Sequence, residues 1–206
     1  MASPSDAGRP AGPPQPNGLP PRVRRRLHDP APDFPDFVRQ FLADKGREVV
    51  MVVADRHGAV WLHRKGYWRL PTGNLRPGED PTGGAVREVA EEFGAPLPLV
   101  RPLGVLELDT GLPDPPAGAR PFVAHLFLFA GGDHVPGPVP AEGIDAWRAV
   151  PVDGLAAEAA RLRALRPNAE PNGWMYPYWG AFRALELEVA AGLLRAGGAP
   201  GAGRPA

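Results

Sequence analysis

The run Leu70-Pro71-Thr72-Gly73-Asn74-Leu75-Arg76-Pro77-Gly78-Glu79-Asp80-Pro81, continuing through Ala85-Val86-Arg87-Glu88-Val89-Ala90-Glu91-Glu92-Phe93-Gly94, decides how the rest of the chain is read. Its second half carries the start and stop signals of a helix. Asp80 is a good N-cap and Pro81 suits the first turn. Gly94, followed by Pro96, ends the helix. Val86, Val89, Ala90 and Phe93 recur at i, i+3, i+4 and i+7, which predicts one buried face. Glu88, Glu91 and Glu92 then fall on the remaining surface, again three and four residues apart.

Three like charges so placed repel by about a few tenths of a kcal/mol per pair on an isolated helix. A divalent cation with a taste for oxygen ligands, such as Mg²⁺, removes that repulsion. Arg87 offsets part of it and reaches Glu91 one turn on, or Glu79 in the preceding loop. The bland reading of E-x-x-E-E is a solvated acidic face. The loop before the helix argues against it. Gly73 and Gly78 let backbone approach a ligand, and Glu79 stands at the mouth of a helix whose positive end suits phosphate oxygens.

These residues resemble the signature of the Nudix hydrolases: Gly, five residues, Glu, seven residues, then Arg-Glu-apolar-x-Glu-Glu-x-Gly-apolar. The match runs over residues 73–95, from Gly73 through Glu79 to Arg87-Glu88-Val89-Ala90-Glu91-Glu92-Phe93-Gly94-Ala95. Every polar position and both glycines agree. Ala95 is smaller than the usual branched residue, and Thr72 stands where a second glycine is common.

The resemblance implies roles for particular residues. Glu88, Glu91 and Glu92 would be the metal carboxylates, with the Thr72 carbonyl as a backbone ligand. Arg87, Glu79 and Gly73 would support them. The metal would be Mg²⁺, with Mn²⁺ as the alternative, and the reaction water attack on a pyrophosphate of a nucleoside diphosphate linked to another moiety. The general base would be a carboxylate of the helix, Glu91 or Glu92, or the later Glu142, which precedes Trp147. Arg64, Arg69 and Trp68 are the substrate-binding candidates, with a place in the core as the other reading of Trp68. A nucleoside triphosphate, ADP-ribose or a nucleotide sugar all fit. A non-catalytic nucleotide sensor on the same fold is the competing function; loss of box glutamates would favour it, and none is lost.

Outward from this centre, Phe34, Phe37, Val38, Phe41 and Leu42 recur at helical spacing. Residues 48–64 read as a hairpin about Asp55-Arg56-His57-Gly58. Leu99–Asp109 and Pro121–Ala130 read as strands, the second apolar throughout and therefore central. Asp145–Pro151 is a short strand, Asp153–Leu165 a helix, and Tyr178–Arg195 a last helix. The expected fold is α/β, the Nudix fold, a mixed sheet between helices. The expected divisions are a disordered Pro/Gly/Arg-rich arm over 1–33, the Nudix domain over 34–172, a C-terminal helix over 173–195 packed on it, and a disordered tail over 196–206. A homodimer contact is the alternative use of that last helix.

Composition closes other routes. The 206 residues include no cysteine, and the two serines, Ser3 and Ser5, lie in the arm. Disulfides, thiolate metal sites and a serine triad are thereby excluded. Neither lysine, Lys45 or Lys65, sits in a P-loop pattern, and the five histidines show no paired ligand spacing. Acidic and basic residues balance at 23 each, so nucleic acid is not the expected partner. No apolar run has the length of a membrane span. A small nucleotide is the expected partner and the cytoplasm the expected location.

Overall fold

The computed structural model describes residues 20–27, 29, 31–44, 47–110, 122–169 and 172–197. Among them are eight strands and four α-helices. In chain order they are β1 (Arg22–Arg26), α1 (Phe34–Asp44), β2 (Arg47–Asp55), β3 (Val60–Lys65), β4 (Tyr67–Arg69), β5 (Thr72–Asn74), α2 (Pro81–Phe93), β6 (Leu99–Asp109), β7 (Phe122–Gly132), β8 (Ala146–Val150), α3 (Leu155–Arg163) and α4 (Tyr176–Gly197). The strands form one mixed sheet in the order β1-β6-β7-β2-β3-β4, with β5 also on β2 and β8 also on β3. β7 and β2 pair in parallel at its centre, Val50 opposite Leu126 and Val52 opposite Leu128.

Both faces of that central pair are covered, as the apolar runs Val49–Ala54 and Leu126–Ala130 require. Val49, Met51, Val53, Phe127 and Phe129 meet Ala85, Val89 and Phe93 of α2 on one face. Val50, Val52, Leu126 and Leu128 meet α1, α3 and α4 on the other, through Phe37, Leu155, Phe182, Leu187 and Leu194. The mixed sheet between helices is therefore observed. The last helix is part of this core, and the apolar stripe that offered a dimer contact is buried within the chain.

The expectation of a disordered arm over 1–33 does not hold for residues 22–26, which form a strand. Arg22–Arg26 adds a parallel edge strand to β6, with Val23 and Leu27 buried. Three consecutive arginines disguise the Val23/Leu27 alternation. Glu107 of β6 makes the strand tolerable by pairing with Arg22 and, at 2.9 Å, with Arg24. Residues 1–19, 111–121 and 198–206, which include most of the expected arm and tail, lie outside the described residues.

Candidate active site

The box helix is capped as its sequence dictates. The Asp80 carboxylate accepts from the Thr82 and Gly83 N–H groups at 3.0 and 3.2 Å, and Gly94 closes the far end at φ 69°. The helix is turned relative to the expected face, however. Val86 is 43% exposed, and the buried side is Gly84, Ala85, Val89, Glu92 and Phe93. Gly84 and Ala85 are small enough to lie against the loop: a Cβ on Gly84 would stand 2.5 Å from Leu75 Cδ2. This rotation sends Glu92 inward, where only 4% of it is exposed, and leaves Glu91 in solvent. The expectation that all three glutamates share the solvent surface is corrected accordingly.

Arg87 is the hub of the outer part. Its Nε and Nη2 fork onto the two Glu79 oxygens, each at 3.0 Å, and Nη2 also donates to the Asn74 carbonyl at 3.1 Å. Nη1 donates to Glu88 at 2.7 Å and Glu91 at 3.0 Å. The fork, helped by the Arg76 N–H at 2.8 Å, holds the Glu79 carboxyl down at about 2. Burial pushes the Glu88 carboxyl up against the opposing pull of Arg87. Gly73 lies directly against Glu88, so that a Cβ there would overlap the Glu88 Cδ and Cγ. Only glycine lets β5 and α2 approach this closely.

Glu92 occupies a different setting. Burial raises its carboxyl to about 8, and its Oε2 is sealed without a hydrogen-bond partner among the described residues. Facing it is His63 of β3, fully buried, with Nδ1 3.6 Å from Oε2. Burial, then Arg69 and Lys65, push the imidazole down to about 2, so the pair is not an ion pair. Glu88 and Glu91 thus turn to Arg87 while Glu92 turns to His63. Among the described residues no three acidic or histidine side chains converge on one point. The donor set still suits a hard divalent cation: two carboxylates with one shared guanidinium nitrogen, and a third with a sealed, unpartnered oxygen.

The other candidates divide between the two sides of the sheet. Glu142, in a single 3₁₀ turn over Pro140–Glu142, is close enough for its charge to bear on both Glu88 and Glu92. Thr72 is paired with Val50 and stands beside Gly73. Arg69 lies opposite His63 in the β3–β4 register and donates to its Nε2 at 3.1 Å. Arg64 and Trp68 are opposite one another one position along, which puts them on the other face. There Trp68 packs on the α3–α4 core beneath Arg148, 4.3 Å from its ring, and Arg64 pairs with Asp145 at 3.0 Å. The structure does not bring these two to the box glutamates. His63, which the sequence did not single out, stands beside Glu92 on the α2 side of β3.

The NUDIX domain family pattern matches residues 44–170. Diphosphoinositol polyphosphate phosphohydrolase 3-alpha of mouse and of human are each 39% identical over 67 residues, 32% of this chain. The match spans only 37% of the length of those relatives. Among solved structures, a Caenorhabditis elegans Ap4A hydrolase complex is similar at 17% identity, TM-score 0.44, over 66% of this chain and 96% of that one. The dihydroneopterin triphosphate pyrophosphohydrolase of Escherichia coli is similar at 17% identity, TM-score 0.43, over 56% and 85%. No helix among the described residues is long and apolar enough to cross a membrane.

Proposed function

The chain belongs to the NUDIX domain family, and on that premise we propose that it hydrolyses a phosphoric anhydride of a nucleoside diphosphate linked to another group, with Mg²⁺ or Mn²⁺ held by Glu88, Glu91 and Glu92 and the Thr72 carbonyl. The observation that carries this reading is the convergence of Glu79, Glu88 and Glu91 on Arg87 beside the sealed Glu92 carboxylate. A helix built only for stability gains nothing from burying Glu92 at 4% exposure. When bound, the cation neutralises phosphate charge and lowers the pKa of the attacking water.

The protein groups do the rest. Arg87 and Glu79 fix the box loop against the helix, and Gly73 keeps the approach open. Lys65, on the same face of β3 as His63, supplies a cation for a phosphate oxygen. The water oxygen forms a bond to phosphorus, the bridging P–O bond breaks, and the water proton passes to a carboxylate. Glu142 and the helix glutamates are the candidates for that step, which typically contributes about 10²–10⁴-fold. The leaving phosphate departs as the nucleotide or as its partner group.

Hydrolysis with and without Mg²⁺ tests the reading. The substrate panel comprises nucleoside triphosphates, ADP-ribose, nucleotide sugars, dinucleoside polyphosphates and, after the curated relatives, a diphosphoinositol polyphosphate. Metal-dependent turnover that collapses in Glu91→Gln and Glu92→Gln is the expected result. Absence of turnover across the panel, with nucleotide binding intact by calorimetry, would instead establish the sensor.

A further inference from the structure

We propose that Arg69 and His63 form a hydrogen-bond relay that fixes the His63 tautomer and, through it, aims the Glu92 carboxylate, making His63 a positioning residue for the hydrolysis proposed above. Arg69 faces His63 across β3 and β4. Its Nε–H donates to His63 Nε2 at 3.1 Å. A guanidinium has no acceptor, so Nε2 must be the nitrogen with the lone pair. The imidazole proton therefore sits on Nδ1.

Nδ1 points at Glu92 Oε2 across 3.6 Å, and both atoms are buried with no other partner among the described residues. That separation is too long for a hydrogen bond, and closing it to about 3 Å takes a side-chain shift of about half an ångström. With Nδ1–H as donor, Oε2 accepts, and Oε1 is left as the oxygen for chemistry. The Arg69 N–H on Nε2 leaves no room there for a second proton.

Neighbours hold the ring in place. Trp147 lies 5.5 Å from it, centroid to centroid, and itself rests 4.4 Å from Phe93, one residue past Glu92. The sheet supplies the other constraint, since His63 and Arg69 are direct partners across β3 and β4. The relay thus connects the strand that leads into the box with a carboxylate on the box helix.

Three substitutions separate positioning from packing. His63→Asn places an amide N–H close to where Nδ1 stands, His63→Gln places one nearer Nε2, and His63→Leu removes both. His63→Leu and His63→Gln are expected to lower kcat about 10–100-fold with KM little changed, and His63→Asn to recover most of that loss. Equal losses in the Asn and Gln variants would overturn the relay. The second readout is the ¹⁵N spectrum of histidine-labelled protein, with the His63 signals assigned by their disappearance in His63→Asn. A protonated Nδ1 and bare Nε2 are expected, and Arg69→Leu is expected to mix the tautomers. A proton on Nε2 in the parent would overturn the proposal. The function it serves rests on the hydrolase reading, yet the spectrum decides the tautomer even if no substrate on the panel is cleaved.

Discussion

Glu92→Gln is expected to make the metal-free protein more stable at mildly alkaline pH while abolishing hydrolysis. Burial raises the Glu92 carboxyl from 4.5 to about 8. The folded state therefore holds a proton that the unfolded chain releases, and stability falls as pH rises from about 4.5 to about 8. His63 works in the opposite sense. Its pKa is pushed from 6.5 down to about 2, so its contribution to stability is lost on acidification below about 6.5. The two slopes cancel between the unfolded values, and above pH 6.5 Glu92 is the one still titrating. At about 1.36 kcal/mol per pH unit, fading as the pKa of about 8 is reached, the loss from pH 6.5 to 8 is about 1.5–2 kcal/mol. For a domain of this size that is roughly 3–8 °C in Tm. The assay is thermal and urea unfolding of parent and variant, in chelator, at half-unit steps of pH. Other buried carboxylates are common to both proteins, so the difference curve isolates Glu92. A difference that stays constant from pH 6.5 to 8 would refute the argument. If Glu92 holds metal as its anion, saturating Mg²⁺ is expected to flatten the parent curve as well.

Arg183→Met takes the guanidinium away from the buried Glu186 and Glu48 carboxylates, both about 1% exposed, and is expected to cost about 3–5 kcal/mol by urea unfolding, whereas replacing all three by apolar residues is expected to recover most of it. Gly73→Ala displaces the Glu88 side chain and is expected to lower hydrolysis about 10–100-fold with the circular dichroism spectrum unchanged. Arg87→Lys replaces a fork that binds Glu79 twice by a point charge, and metal affinity by calorimetry is expected to fall about 10–100-fold. Removal of residues 1–27 strips Val23 and Leu27 from the edge of β6, at about 1.5–3 kcal/mol for each side chain, read as a lower urea midpoint.

Local signals in the sequence carried far because the box is locally encoded. Asp80, Pro81 and Gly94 terminate α2 where they predict it, and the Arg87 contact to Glu91 follows from helical spacing. The hairpin and the strand Leu99–Asp109 were equally plain, since β-branched runs and a turn of four polar or small residues need no tertiary knowledge. What failed was non-local. The helix phase depended on whether Val86 or Ala85 faced the sheet, and that is decided by contacts with another segment: Gly73 of β5 against Glu88, and Leu75 of the box loop against Gly84. β1 exists only because β6 offers an edge and Glu107 a counter-charge. Arg64 and His63 are neighbours in sequence with opposite fates. Strand alternation requires that split, but which of the two faces the box cannot be read until α2 is placed on one side.

Four of the buried polar atoms that have no hydrogen-bond partner among the described residues show where stability was conceded. His63 Nδ1 and Glu92 Oε2 lie on the α2 side of the sheet, and Arg183 Nε and Glu186 Oε2 on the α4 side. Arg69 feels both groups, its charge opposed by Arg183 and favoured by Glu92 and Glu48. Glu48 is fixed to Arg183 by its side chain while its backbone position is paired with Asn74 in the β2–β5 register. The Asn74 carbonyl in turn accepts from Arg87. β5 is only Thr-Gly-Asn, with no apolar side chain to set its register on β2. Charged contacts on both sides therefore do what packing does elsewhere in this sheet. An apolar core at Glu48, Arg183 and Glu186 would cost little stability by itself. It would leave the three-residue strand that carries Gly73 without that anchorage, and the loss would fall on the geometry of Glu88 and Arg87.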